Sequence, residues 1–152
     1  MKKIILFLTT VISLMSCGTS ETVLSTGVDL SDYKHCVLGT SSIDGSADVV
    51  DVILKIENFL PEVLNIVSRS EAAELILQGN KVLTPSINIT SEKWDGGHTY
   101  IAVSFSDMRT GRLLAVCKSS GIGMSIEEDR EIALDKIKDE LKKVFLYDSK
   151  RR

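Results

Sequence analysis

Three cysteines, two histidines and one tryptophan carry most of the available chemistry in this 152-residue chain. Cys36 and Cys117 sit in apolar runs, Tyr33 to Leu38 and Leu113 to Cys117, of the kind that form strands. Cysteine is among the most buried residue types, so two buried free thiols is the reading adopted. A disulfide would need their Cα atoms within about 7 Å. A Cys–His nucleophile from His35 and Cys36 fails on geometry, because strand neighbours point to opposite faces. With only His35 and His98, and no thiol pair at ligand spacing, no metal site is expected.

Two kinds of loop could hold a ligand. Ser119 to Ser125 reads Ser-Ser-Gly-Ile-Gly-Met-Ser between a strand and a helix start, where amides around Gly121, Gly123 and Ser125 could receive an anion. It lacks the lysine of a phosphate loop and the glycine spacing of a dinucleotide site, so a plain connector competes with that reading. Glu127, Glu128, Asp129 and Glu131 stand where carboxylates favour the helix dipole, and are read as solvated charge rather than an acid/base pair. Trp94 lies in a polar hairpin loop with His98 and Tyr100 close by, and Trp and Tyr are strong interface anchors when exposed. The alternative folds Trp94 onto the sheet edge. Arg109 and Arg112 flank another hairpin and could meet a carboxylate or phosphate. Partner binding is therefore assigned to Trp94, His98, Tyr100, Arg109 and Arg112, and no residue is assigned a catalytic role.

The elements that must position these residues can be read from periodicity. Tyr33 to Leu38 reads as a strand closed by Gly39. Ser46 is placed to cap a helix running to about Leu60, with Val49, Val50, Ile53, Ile56 and Leu60 at helical spacing. Leu64 to Val67 and Glu74 to Gln78 read as strands, and Ser86 to Thr90 alternates more clearly. Asp95-Gly96-Gly97-His98 is turn chemistry, so the flanking strands form a hairpin. Tyr100 to Asp107 and Leu113 to Cys117 are two further strands. Ser125 and Glu128 spell a capping box, and Leu134, Ile137, Leu141 and Val144 draw an apolar stripe along the final helix. The expectation is an α+β domain: a mostly antiparallel sheet of about five strands, two helices packed on it, the C-terminal one amphipathic.

Charge excludes one function class. With 18 basic against 21 acidic residues the net charge is -3, and removing the first 16 residues takes away Lys2 and Lys3, leaving 16 against 21, or -5. A basic footprint for nucleic acid is missing. The longest apolar run, Ile4 to Leu14, is shorter than the roughly 20 residues that span a bilayer.

That run is preceded by Lys2 and Lys3 and followed by Leu14-Met15-Ser16-Cys17, the order of an export signal. The last four residues resemble the lipobox of bacterial lipoproteins, with an aliphatic residue three before the cysteine and a small one just before it. That resemblance implies cleavage before Cys17, a diacylglycerol on its sulfur and an acyl chain on its new amino group. Two or three chains make a stable anchor where one does not. Gly18 after the cysteine points to the outer membrane, periplasmic face, by default, with surface exposure as the alternative. Residues 1–16 are then the signal, 17–32 the lipidated cysteine and a flexible Ser/Thr/Gly tether, 33–147 one domain and 148–152 a polar tail.

The strand at Tyr33, Leu64-Asn65-Ile66-Val67-Ser68-Arg69-Ser70, Leu75-Ile76-Leu77-Gln78-Gly79 and Val103 to Gly111, with its Asp107-x-x-Thr110-Gly111 hairpin, resemble a known envelope pattern. It is similar to the small α+β domain shared by the curli-secretion lipoprotein CsgG, the penicillin-binding-protein activator LpoB and the N-terminal domain of TolB. The chain departs from the larger relatives between Arg69 and Leu75, where their helical segment looks compressed to a few residues, and it carries nothing like a pore-forming insertion. The resemblance implies a periplasmic domain that binds an envelope protein or peptidoglycan-associated partner, without catalysis or a cofactor beyond the lipid. The alternative is a small-ligand binder or enzyme built on the loop Gly121 to Ser125.

Overall fold

The computed structural model describes residues 17–39, 46–92 and 98–147. Six strands form one sheet: β1 (Cys17–Leu24), β2 (Tyr33–Cys36), β3 (Asn65–Ile66), β4 (Lys81–Glu92), β5 (His98–Asp107) and β6 (Leu113–Ile122). Their spatial order is β1-β6-β5-β4-β2-β3. β2 runs parallel to both β3 and β4, and the other pairs are antiparallel, so the sheet is mixed. Among the described residues three α-helices accompany the sheet: α1 (Ala47–Phe59), α2 (Arg69–Leu77) and α3 (Ile126–Lys142), the last continuing into a π-helical turn, Lys143–Tyr147. The α+β class and the C-terminal amphipathic helix agree with the sequence reading.

The period-2 pattern of β5 places the main core. Ile101, Val103 and Phe105 point to one face and are buried, and β6 adds Ala115 and Cys117 to the same face. Against them lie Val52, Ile56 and Phe59 of α1 and Ala133, Leu134, Ile137 and Leu141 of α3. Phe145, in the π-helical turn, meets Phe105 edge to face with ring centroids 5.0 Å apart. Each fully buried Leu- or Phe-sized side chain here contributes roughly 1.5–3 kcal/mol relative to exposure. Consecutive strand residues face opposite ways, so Val37 and Val82 leave this core. They join a smaller one with Val67 and Ala72, under α2 on the other face of the sheet.

Several elements differ from the sequence reading: β4 runs Lys81–Glu92 rather than Ser86 to Thr90, and β6 continues to Ile122 through residues read as a connector. Glu74 to Leu77, read as part of a strand, belongs to α2, and Gln78 caps it, so a nine-residue helix stands where the segment looked compressed to a few residues. The start of α2 carries the physical signal: Ser68 accepts a bond from the Glu71 amide at 3.2 Å, the Ser-x-x-Glu cap that a four-residue apolar run had overshadowed. The strand at Leu64 to Val67 shrinks to Asn65–Ile66. The expected tether is in part a strand: Cys17 to Leu24 pairs in unbroken register with β6, from Cys17 opposite Ile122 to Leu24 opposite Ala115. Its alternation of Thr, Ser and Glu suits an edge strand, and small polar residues disguised it as linker.

Gly121 shows how closely the helix and sheet approach. A Cβ on Gly121 would stand 2.0 Å from the Asp129 carbonyl oxygen and 2.7 Å from the Ala133 nitrogen, both backbone atoms of α3. Pro85 is tolerated inside β4 because β2 pairs only with Lys81 to Leu83. Among the described residues nothing pairs with that edge of β4 beyond this point, so a missing N–H costs no ladder bond there.

Candidate functional site

The sheet's two ends differ in chemistry. One end collects the start of β1, the end of β6, the start of β5 and the N-terminus of α3. The other collects the start of β2 and β4, the end of β5 and the hairpin 108–112. β5 spans the distance between them, ten residues or about 30 Å at 3.4 Å each.

At the hairpin end, Asp107 organises a polar cleft of about 240 Å³. Its Oδ1 accepts from the Thr110 amide at 2.8 Å and the Thr110 hydroxyl at 2.9 Å, and its Oδ2 accepts from the Tyr33 hydroxyl at 2.9 Å. Gly111 closes the turn at φ +68°, where a Cβ would be strained. Desolvation alone would raise the Asp107 pKa, but these donors outweigh it and hold the carboxyl below its ordinary value. Burial first, then the bond to Asp107, pushes Tyr33 up to about 12. Asp107 therefore stays ionised and Tyr33 neutral near pH 7, a locked pair.

Lys81, Arg109 and Arg112 border the same cleft. Lys81 reaches Asp32 at 2.6 Å, Arg112 donates to the Thr26 carbonyl at 3.0 Å, and Arg109 is exposed. Three cations against Asp107 and Asp32 leave the cleft locally positive on an acidic chain. Of the five residues assigned to partner binding, the structure brings only Arg109 and Arg112 together here. His98 and Tyr100 lie on β5 toward the other end, their rings stacked 6.1 Å apart and 8° from parallel, with Tyr100 exposed on the face that carries α2. Trp94 lies outside the described residues. Sequence reasoning missed Tyr33 and Lys81, which reach the cleft only through the parallel pairing of β2 with β4.

The anion reading of the loop Gly121 to Ser125 is corrected. The Gly123 amide donates to Asp129 Oδ1, and the Met124 amide donates to Glu128 Oε2 at 2.8 Å. Ser125 Oγ accepts from the Glu128 amide at 3.2 Å, and Gly121 is buried against α3. The carboxylates that the sequence placed in solvent fold back and occupy the donors an anion would need. Asp129 is wholly buried, against the expectation of solvated charge.

A larger groove, about 1030 Å³, runs along the helix-covered face between β1, the β2–β3 edge and the end of α3. Leu24, Val28, Ile66, Val144 and Phe145 give it apolar walls, with Glu140 on its flank. Glu140 accepts from Thr22 Oγ1 at 2.9 Å, Ser20 Oγ at 3.0 Å and Lys143 Nζ at 3.0 Å. Thr22 Oγ1 also lies 3.4 Å from Cys117 Sγ, and its single proton goes to the nearer, charged acceptor. Burial would raise the Glu140 pKa, and the bonds from Lys143, Thr22 and Ser20 more than reverse it. The stripe Leu134, Ile137, Leu141 carried one legible signal, a carboxylate lying one residue from its apolar line.

Cys36 and Cys117 are both buried and free. β2 and β6 are separated by β4 and β5, so three inter-strand spacings, about 14 Å, part the two chains and rule out a bridge. Burial pushes the Cys36 thiol up to about 12 and the Cys117 thiol up to about 11. Cys17 is exposed at the first position of β1. Among the described residues no cluster of three or more His, Cys, Asp or Glu side chains is arranged to hold a metal ion, and no helix is long and apolar enough to cross a membrane.

These features define a small α+β domain with a mixed six-stranded sheet, two helices on one face and one on the other. That fold is shared with PelC from Paraburkholderia phytofirmans, solved as a dodecamer: TM-score 0.50 and 16% identity, covering 85% of this chain and 98% of that one. A PDZ domain protein from Parabacteroides distasonis aligns at TM-score 0.49 and 12% identity, over 84% of this chain and 36% of that one. A minor lipoprotein from Acinetobacter baumannii aligns at TM-score 0.33 and 16% identity, over 77% and 93%. No protein-family model and no curated protein sequence matches the chain.

Proposed function

We propose that this chain is a lipid-anchored accessory protein of the bacterial outer membrane, facing the periplasm, that binds an envelope protein or peptidoglycan-associated partner and catalyses no reaction. Its anchor is the acylated Cys17, and its partner contact is the cationic cleft of Lys81, Arg109 and Arg112. The observation that carries this reading is the placement of Cys17 and the cleft at opposite ends of the sheet, about 30 Å apart along β5. An anchor at one end leaves the other to reach a carboxylate-bearing partner. Arginine suits that role because its planar fork matches a carboxylate with two parallel bonds. The shared fold with PelC, a dodecamer, supports a protein that works through protein contacts, including contacts with its own copies.

The test is a crosslinked capture from native envelope with the full chain, an Arg109→Ala/Arg112→Ala double variant, a Trp94→Ala variant and an unrelated lipoprotein. Specific recovery that falls several-fold with the arginine variant supports the cleft. Recovery that depends on Trp94 alone, and not on the arginines, removes the cleft from the proposal. Palmitate labelling that survives Cys17→Ala removes the anchor.

The groove beside Glu140 favours a second reading, a binder of small apolar ligands, whose site is then this groove and not the loop Gly121 to Ser125. Organic extraction of purified protein followed by mass spectrometry distinguishes it, because a bound molecule should be lost in a Val144→Arg variant.

A further inference from the structure

We propose that the end of the domain carrying Cys17 seats directly on a zwitterionic phospholipid leaflet, with Met124 and Ile126 in the interfacial layer beside the acyl chains. This rests on the lipid-anchored reading above and goes beyond it, since a tethered domain would have no fixed membrane face.

The reason is length. Cys17 is itself the first paired residue of β1, opposite Ile122 of β6, so no slack chain separates the lipid from the sheet. Residues paired across two strands lie about 5 Å apart, and two further residues add at most about 7 Å, so the Met124 Cα lies within roughly 12 Å of the Cys17 Cα. Half the hydrocarbon core is about 15 Å deep. A domain held that close must press this end against the headgroups.

The side chains at that end suit the contact. Met124 is 77% exposed and Ile126 is 37% exposed, each an apolar side chain lying in water beside the anchor. β1 cannot readily peel away to supply a tether, because Ser20 and Thr22 are bonded to the Glu140 carboxylate of α3. Glu127 and Glu92 are exposed at the same end, while Lys136 of α3 lies against Gly18. Exposed carboxylates oppose anionic headgroups, so the leaflet that fits is zwitterionic, of the phosphatidylethanolamine kind. Leu77 supplies an internal control: it is 88% exposed but ends α2, just before β4 begins at the far end of the sheet.

The experiment uses the full-length acylated chain in phosphatidylethanolamine/phosphatidylcholine vesicles doped with a phospholipid bearing a diazirine in its acyl chain. After irradiation, adducts are mapped by mass spectrometry. The expected result is strong labelling of residues 122–126 and background labelling around Leu77. A Met124→Ser/Ile126→Ser double variant should lose most of that labelling while still sedimenting with vesicles. A Gly/Ser linker of about 12 residues inserted between Cys17 and Gly18 should lower it to the Leu77 level, by freeing the domain from the surface. Equal labelling of both ends, or labelling indifferent to the linker, overturns the seated geometry while leaving the anchor intact. Absence of the acyl mass on Cys17 together with failure to sediment overturns the anchor and the seating with it.

Discussion

Glu140 on the C-terminal helix and Thr22 on the first strand meet at 2.9 Å, carboxylate to hydroxyl, across 118 residues of sequence. The bond ties the edge strand to the element that also fills the core with Leu134, Ile137 and Leu141. Ser20 and Lys143 complete the shell, so the charge is nearly buried yet well supplied with donors. Removing the carboxylate would strand no buried charge, but it would release the strand from the helix.

Glu140→Ala should accordingly destabilise the domain by about 1.5–3 kcal/mol, the range for hydrogen bonds to a charged group. The loss should be concentrated in β1. Hydrogen exchange of the 17–24 amides in urea-free buffer is the readout, and those of β5 should keep their protection. Uniformly unchanged exchange would show that β1 pairs with β6 without help from α3.

Acid stability follows from the same group and from Asp107. Both folded-state pKa values are held below their ordinary values of 4.5 and 3.8, burial being outweighed by hydrogen bonds. A depressed carboxyl contributes stability that is present above its unfolded pKa and lost as pH falls through its folded pKa. The unfolding midpoint in urea should therefore fall below about pH 4.5. In Glu140→Gln with Asp107→Asn it should be lower near neutrality and flatter toward acid.

Gly121→Ala should be the more damaging of two conservative glycine substitutions. The new methyl would enter the backbone of α3, which cannot rotate away, and overpacking of that kind costs about 1–3 kcal/mol or more. Gly18→Ala meets the Ile132 Cγ2 methyl at 2.6 Å and the Lys136 side chain at 3.1 Å, which can shift, although Ser120 O stands at 3.0 Å. Thermal unfolding of the two variants should rank Gly121→Ala lower.

Thiol reactivity should report the burial of Cys36 and Cys117. A thiolate-selective reagent at pH 8 should modify neither in the folded protein and both in denaturant, since burial raises the thiols to about 12 and about 11. Groups raised in this way favour folding below their unfolded pKa, ordinarily 9.0, and that contribution is lost as pH climbs through the folded values. Alkaline unfolding should begin above pH 9 and be aided by Tyr33, itself raised to about 12. Tyr33→Phe should remove that share and cost about 1 kcal/mol at neutral pH.

What the sequence determined by itself was local. Period-2 alternation in Tyr100 to Asp107, the Ser125–Glu128 cap and the stripe Leu134, Ile137, Leu141 need no distant partner, so β5, the first half of β6 and α3 were legible along with the α+β class. The Asp107-x-x-Thr110-Gly111 turn was legible for the same reason, its bonds spanning only three residues. Tertiary structure alone decided the rest. β1 is a strand because β6 offers it a partner about a hundred residues away, and its own Ser and Thr have no periodic apolar face to announce it. Leu75 to Leu77 became helix because Ala72 packs under the sheet with Val37 and Val82, overriding the strand-like apolar run. The glycine-rich loop was filled by Glu128 and Asp129 because the approach of α3 to Gly121 swings those carboxylates onto its amides. Spacing along a chain gives direction within one element; only the packing of elements decides which donors remain open.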